Sequence, residues 1–330
     1  MSTLFTMTVD TEEEWDWGAG WPTTNLSLSN IQTLPRFQAL CARYGVATTY
    51  FTNQAVFDDP EARAVLLRLS KEPRVEIGMH IHPWNTPPLD VNGPVTPRST
   101  FLHNLPAETI RAKLDSVYER FVSQGLKPLS FRGGRYSSGG VIHEFLRDHE
   151  FLADASVVPF STWEEEGAPD YRKRDLVPVR LPPRREGERP LWEIPLTLGF
   201  TRTPFAFWGK CYDLVRSSWL SKLRLIGIAE RIGLVRKVWL NFEDPMGARM
   251  LSFLRKLRRM ELASVCLTIH SSSLVAGKGP YTRTQADEAR LFGHMEEVFR
   301  AIVDWPDFEP ATVTEVAQHL EEKHHACTRN

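Results

Sequence analysis

The stretch TVDTEEEWDW, residues 8–17, takes the end of an apolar run, Leu4–Val9, straight into a cluster of acids. The run reads as a strand ending at Asp10, and Glu12 lies two positions on. In extended chain, side chains at i and i+2 point the same way, so these two carboxylates face one small space. Two like charges that close stay ionised together cheaply only with a cation or an arginine between them. A metal ion held by one acid, with the other acting as base, meets that need. An acidic, solvated loop through Glu12, Glu13, Glu14 and Asp16 accounts for the same charge density.

Outward from this strand, β-like and helix-like segments alternate. Helical spacing over Ile31–Tyr44 is closed by Gly45, and the β-branched, aromatic run VATTYF follows at 46–51. A helix at Glu61–Ser70 leads to a strand at Val75–Met79. Ala107–Gln124 is amphipathic, with Ile110, Leu114, Val117 and Phe121 on one face. Further strands are expected at Pro128–Phe131, Phe151–Val158, Trp192–Pro195 and Val265–Ile269, and final helices at Thr284–Val303 and Val313–Glu322. This rhythm predicts a parallel sheet or barrel, with residues 1–330 as a single domain. The stretch 206–260 breaks the rhythm and reads as a mostly helical insertion. Between Gly209 and Val238 it carries seven Lys/Arg against Asp213 and Glu230. That pattern fits a solvated face, or a docking surface for an anionic or membrane-linked substrate.

Composition sets outer limits. Of 330 residues, 42% are apolar and 25% charged, as in a domain with a sizeable core. A net charge of −1 gives no basic field for nucleic acid. No run of 18 apolar residues suggests a transmembrane helix. Cys41, Cys211, Cys266 and Cys327 include no CxxC pair, which excludes a zinc knuckle or redox pair of that type and fits free thiols in a reducing compartment. No basic stretch followed by an apolar run opens the chain, so the expected location is cytoplasmic.

In a parallel β/α barrel, reactive groups gather at the carboxyl ends of strands, and three more motifs sit at such ends. EIGMHIHPWNTPP (76–88) runs a strand into His80-x-His82, and i, i+2 spacing puts both imidazoles on one side, as a pair of neutral metal ligands requires. One core and one surface histidine is the plainer alternative. FRGGRYSSGG (131–140) places Arg132 where it could pair with a buried carboxylate, beside two glycines that permit close backbone approach. A phosphate cradle is disfavoured there because GxxxxGK[ST] is absent. VCLTIHSSSL (265–274) ends its strand in His270, suited to general acid or base work, although a hydrogen-bonded structural histidine is commoner. HEFLRDH (143–149) is no HExxH zinc motif, since Arg147 holds the fourth position after His143.

Taken in order, acid pair, histidine pair, arginine turn and late histidine resemble the polysaccharide deacetylases of the NodB-homology family, carbohydrate esterase family four. The similarity runs from about Phe5 to about Ala317. TVDTE resembles the family's first motif, EIGMH the second, FRGGRY the third, ADASVVP (153–159) loosely the fourth and LTIH the fifth. The resemblance implies a distorted seven-stranded (β/α) barrel carrying the helical insertion. It implies one divalent ion, Zn²⁺ foremost with Co²⁺, Ni²⁺ or Mn²⁺ as alternatives, held by Glu12, His80 and His82. Asp10 would be the base, oriented by Arg132, and His270 the acid. A backbone N–H near Tyr136 would face the oxyanion. Trp15, Trp17, Trp84 and Tyr136 are candidates for stacking on sugar faces, with core packing as the alternative for some of them. The implied activity removes N-acetyl or similar acyl groups from an amino-sugar glycan or precursor, in bacterial surface or exopolysaccharide metabolism. A lipid-linked substrate would touch the basic insertion peripherally.

The chain departs from the family at four places. Thr11 separates two acids that are usually adjacent. Trp84 stands four after His80, where the second histidine is usual, so His82 takes that role, with His103 or water as its alternative. The arginine turn is one residue longer than Arg-Pro-Pro-Tyr, and Thr268 replaces a leucine. Two other functions fit the same residues: a different metal-dependent C–N hydrolase, acting on a ureide or formamide, and an inactive carbohydrate-binding homologue.

Overall fold

The structure is a computed structural model that describes residues 2–16, 18, 20–89, 93–217, 226–227, 231, 234–243 and 248–328. Its strands are β1 (Thr3–Thr11), β2 (Thr48–Thr52), β3 (Val75–Ile81), β4 (Ser130–Gly133), β5 (Ala153–Asp154), β6 (Val179–Leu181), β7 (Leu191–Glu193), β8 (Leu198–Phe200), β9 (Lys237–Trp239), β10 (Ser264–His270) and β11 (Phe308–Pro310). Seven of them form a parallel path in the order β10-β1-β2-β3-β4-β5-β7, the number and chain positions expected. β6 adds antiparallel to β7, and β11 pairs parallel with β1. All nine residues of β1 are buried, as a central parallel strand covered on both faces requires.

The sheet curls into a distorted barrel whose seam is irregular. Between β7 and β10, Leu240 N–H donates to Thr197 O (2.9 Å), while Phe242 and Leu240 exchange bonds with Thr268 (3.1 and 3.0 Å). Cys266 N–H donates to the Thr197 hydroxyl (2.8 Å). Single backbone bonds thus bridge a gap that a regular strand would fill. β5 is far shorter than the expected Phe151–Val158. Asp154 Oδ1 accepts from the Ser156 N–H (3.0 Å) and hydroxyl (2.5 Å), turning the chain out of the ladder after two residues.

Helices cover the outside. Those described are α1 (Leu34–Arg43), α2 (Gln54–Asp58), α3 (Pro60–Leu69), α4 (Ala107–Ser123), α5 (Gly140–Asp148), α6 (Phe205–Ser217), α7 (Ala248–Arg258), α8 (Gln285–Val303) and α9 (Val313–Thr328). α4 buries Ile110, Leu114, Val117 and Phe121, the face its spacing predicted. α8 begins on a capping box between Thr284 and Asp287. The 206–260 stretch contains α6 and α7 and, between them, β9, which pairs antiparallel with β8. Lys222, Arg224 and Glu230 of that stretch lie outside the described residues. Among the described residues, no helix is long and apolar enough to cross a membrane.

Candidate metal centre and active site

Parallel register brings the four motifs together. β1 and β10 pair Asp10 with His270, and β3 and β4 pair His80 with Arg132, all at the carboxyl ends of their strands. Asp10 and Glu12 line one cavity with His80, His82 and His270, and the cavity has a volume of about 280 Å³. The i, i+2 readings of both acid and histidine pairs therefore hold in space.

Glu12, His80 and His82 converge. Glu12 Oε2 lies 3.3 Å from His80 Nε2 and 2.9 Å from His82 Nε2, and the two Nε2 atoms are 3.1 Å apart. All three residues are buried, and among the described residues they are the one such cluster with donor atoms placed to hold a metal ion. Each imidazole has its other nitrogen occupied: His80 Nδ1 on Arg132 O (2.7 Å) and His82 Nδ1 on Glu13 Oε1 (2.7 Å). That leaves both Nε2 atoms facing the centre, the arrangement that metal-ligating histidines require.

Charge gives a second test of fit. Asp10 is balanced by Arg132, and Glu243 by His270. Glu12 and Glu13 both close on His82. Burial alone would lower the His82 pKa, but Glu13 and Glu12 push it up to about 10. Burial would raise Glu12, yet His82 and His270 hold it below the usual carboxylate range. A dication among the three donors would match the charge of both acids and leave His82 neutral. The donor set fits a divalent ion of the zinc type.

Two ion pairs, Arg132 with Asp10 and His270 with Glu243, flank this centre. Arg132 is fully buried, with its guanidinium 2.6 Å from Asp10 Oδ1, 3.0 Å from the Thr8 hydroxyl and 4.3 Å above the Phe51 ring. His270 Nε2 lies 3.8 Å from Asp10 Oδ2. Its Nδ1 is 2.9 Å from each oxygen of Glu243, whose carboxylate also accepts from Ser273, Asn241 and the His270 N–H. Burial would lower the His270 pKa, but Glu243, then Glu12 and Asp10, raise it to about 10.

Aromatic rings wall the cavity. Trp15, Trp84 and Tyr136 line it, joined by Trp21 and Trp163, while Trp17 lies outside the described residues. Trp84 is nearly buried and stacks on His82, with centroids 4.1 Å apart at 21°. Arg135 and Tyr136 both adopt left-handed backbone, φ 49° and 62°, which costs roughly 1–3 kcal/mol per non-glycine residue. Arg135 holds that turn by bonding Thr100 Oγ1 (2.6 Å) and Pro97 O (3.1 Å) and lying over the Phe101 ring (3.9 Å).

Several sequence expectations are revised. The acidic loop is not solvated throughout: Glu12 and Glu13 are buried and Glu14 pairs with Lys278, leaving Asp16 exposed. His103 stands outside the donor cluster, in the turn Leu102–Asn104. Asp154 of ADASVVP bonds Ser138, His143 and Ser156 and does not line the cavity. Sequence reasoning missed Glu13 and Glu243. A strand-like triplet, Lys237–Trp239, followed by Asn241 and Glu243 was the available signal for the latter.

No family model matches the sequence, and no curated protein matches it either. Solved structures do. A provisionally named polysaccharide deacetylase of Mycobacterium smegmatis matches with TM-score 0.57 and 14% identity over 98% of this chain and 91% of that one. An allantoinase matches with TM-score 0.57 and 11% identity over 98% and 91%. A second provisionally named polysaccharide deacetylase, of Pseudomonas aeruginosa, matches with TM-score 0.54 and 12% identity over 98% and 92%. At these identities the likeness is one of fold. By its fold, the chain is similar to solved structures named polysaccharide deacetylase.

Proposed function

We propose that this chain is a metal-dependent hydrolase that removes an N-acetyl or similar acyl group from an amino-sugar glycan or glycan precursor. The observation that carries the reading is the Glu12–His80–His82 donor set between a carboxylate paired to a buried arginine and a histidine paired to a buried glutamate. A divalent ion held by Glu12, His80 and His82, Zn²⁺ foremost, supplies Lewis acidity toward water and the acyl carbonyl. Asp10, oriented by Arg132 at 2.6 Å, takes the proton of the attacking water. His270, kept protonated by Glu243, gives its Nε2 proton to the departing amine. The backbone N–H near Tyr136 is assigned to the oxyanion. Trp15, Trp84 and Tyr136 are assigned to the sugar faces.

A second reading is a ureide hydrolase, favoured by the equal fold match to an allantoinase and by a cavity of small volume. One experiment serves both. Purified protein is analysed for metal, then assayed for acetate release from N-acetylated amino sugars and for ureide hydrolysis, beside His80→Ala and His82→Ala. Protein that takes up no zinc, cobalt or nickel sinks the mechanism, and cleavage of ureides alone selects the second reading. Contact with a lipid-linked substrate is assigned to α6, where Phe207 and Leu214 are exposed beside Lys210 and Arg216. Sedimentation with anionic vesicles tests that contact.

A further inference from the structure

We propose that Glu13 is the positioning residue that makes His82 a metal ligand. This inference rests on the metal reading above. His80 lies within β3, its backbone opposite Arg132 and its Nδ1 on the Arg132 carbonyl. His82 lies past the end of β3, where no strand partner fixes it. Three neighbours hold its ring instead. Trp84 stacks on one face. Gly134 crowds an edge so closely that a Cβ there would come within 2.9 Å of His82 Cδ2. Those two contacts set the ring plane, and neither addresses a nitrogen. Glu13 does, through Oε1 at 2.7 Å from Nδ1.

Glu13 is built for that task. It is fully buried, and its other hydrogen-bond donors are neutral amides, Asn53 Nδ2 at 2.5 Å and Asn85 Nδ2 at 2.7 Å. Among the described residues, no lysine or arginine pairs with it. A buried carboxylate costs free energy unless a positive or proton-donating partner compensates. Beside the two amides, His82 is that partner, so the Glu13 carboxylate bears directly on Nδ1–H. The bond keeps the proton on Nδ1, turns the Nε2 lone pair toward Glu12 and His80, and strengthens that nitrogen as a donor. His80 has only a carbonyl behind it, so the two histidines are unequal ligands and His82 is the more strongly donating. Glu13 thereby supplies what a histidine beyond the strand end lacks.

The test uses the full chain and Glu13→Gln. The replacement can be seated: Asn53 Oδ1 has no hydrogen-bond partner, so that amide can turn and accept from the new side-chain NH₂ while Oε1 stays on His82. Zinc affinity is measured by competition with a chromophoric chelator, and the ligand field by Co²⁺ absorption. Glu13→Gln is expected to lower zinc affinity roughly 10- to 100-fold and shift the Co²⁺ bands, with little change in the melting temperature of chelator-treated protein. In a His82→Ala background the same replacement should change zinc affinity no further, because Glu13 acts on the ion only through His82. Unchanged zinc affinity in Glu13→Gln, or losses that add fully in the double variant, overturn the proposal. If Glu13→Gln does not fold, Glu13→Asp, which withdraws the charge by one methylene, is read the same way. Wild-type protein that binds neither zinc nor cobalt removes the metal reading as well, whereas wild-type binding with an indifferent Glu13→Gln removes this inference alone.

Discussion

Replacing Glu243 by glutamine should move one limb of the pH–rate profile and leave the other in place. Glu243 lies 2.9 Å from His270 Nδ1 through both oxygens and is the largest of the carboxylate influences that raise the His270 pKa to about 10. A hydrogen bond to a charged group contributes about 1.5–3 kcal/mol, and at 1.36 kcal/mol per pH unit its loss lowers the His270 pKa by about 1–2 units. In the proposed role of proton donor, His270 works only while protonated, so activity should fall as pH rises through that value. Lowering the pKa from about 10 to about 8 cuts the protonated fraction at pH 9 roughly 10-fold and leaves it nearly unchanged at pH 7. The assay is acyl release across pH 6–11 for wild type and Glu243→Gln, with metal content measured at each pH. The displacement of the alkaline limb between the two proteins is the quantity tested. An unmoved limb, or a loss of rate equal at every pH, would falsify the assignment of that limb to His270.

Asp10→Asn should lower kcat by about 100-fold or more, the scale of a lost general base, while metal content stays at the wild-type level; loss of the ion would make Asp10 a ligand instead. In the metal-free chain, His82 and His270 titrate near 10 rather than the ordinary 6.5. Because folding raises both values, their stabilisation is full below about 6.5 and is lost as pH rises toward 10. Melting temperatures in chelator should therefore fall across that window, and a flat profile contradicts the two pKa shifts. Gly134→Ala puts a Cβ 2.2 Å from Ile81 O and 2.9 Å from His82 Cδ2. It should cost about 1–3 kcal/mol of overpacking strain, read as a lower denaturation midpoint together with weaker zinc binding. A variant of native stability and affinity would show that β3 and β4 yield there.

Much of this was legible because period-2 alternation and strand-end placement are local properties. Leu4–Val9 and Val265–Ile269 announce buried parallel strands, and parallel register then sets Asp10 abreast of His270 without further instruction. The i, i+2 rule likewise placed His80 and His82 correctly. What escaped depends on the course of irregular chain. Glu13 sits one position off the Asp10–Glu12 alternation and was counted with the solvent-facing acids, yet a turn past the strand end buries it beneath Asn53 and Asn85. Glu243 follows a three-residue strand amid basic, helix-like sequence, and its part comes from a single bridge between Asn241 and Thr268. Trp21 and Trp163 reach the cavity on loops, where no periodicity reports direction.

Arg132 serves the site from two ends: its carbonyl holds His80 and its guanidinium holds Asp10. The first is backbone and survives any substitution, so the proposed ion site and the proposed base are separable by mutation. A buried ion pair is an expensive ornament, often replaceable by matched apolar side chains at no loss of stability, whereas removal of one partner costs about 3–5 kcal/mol. A lineage that had given up turnover and kept only sugar binding would therefore be free to shed Asp10 and Arg132 together while retaining Glu12, His80 and His82. This chain carries the pair whole, with Arg132 buried behind it and Asp10 at the cavity wall.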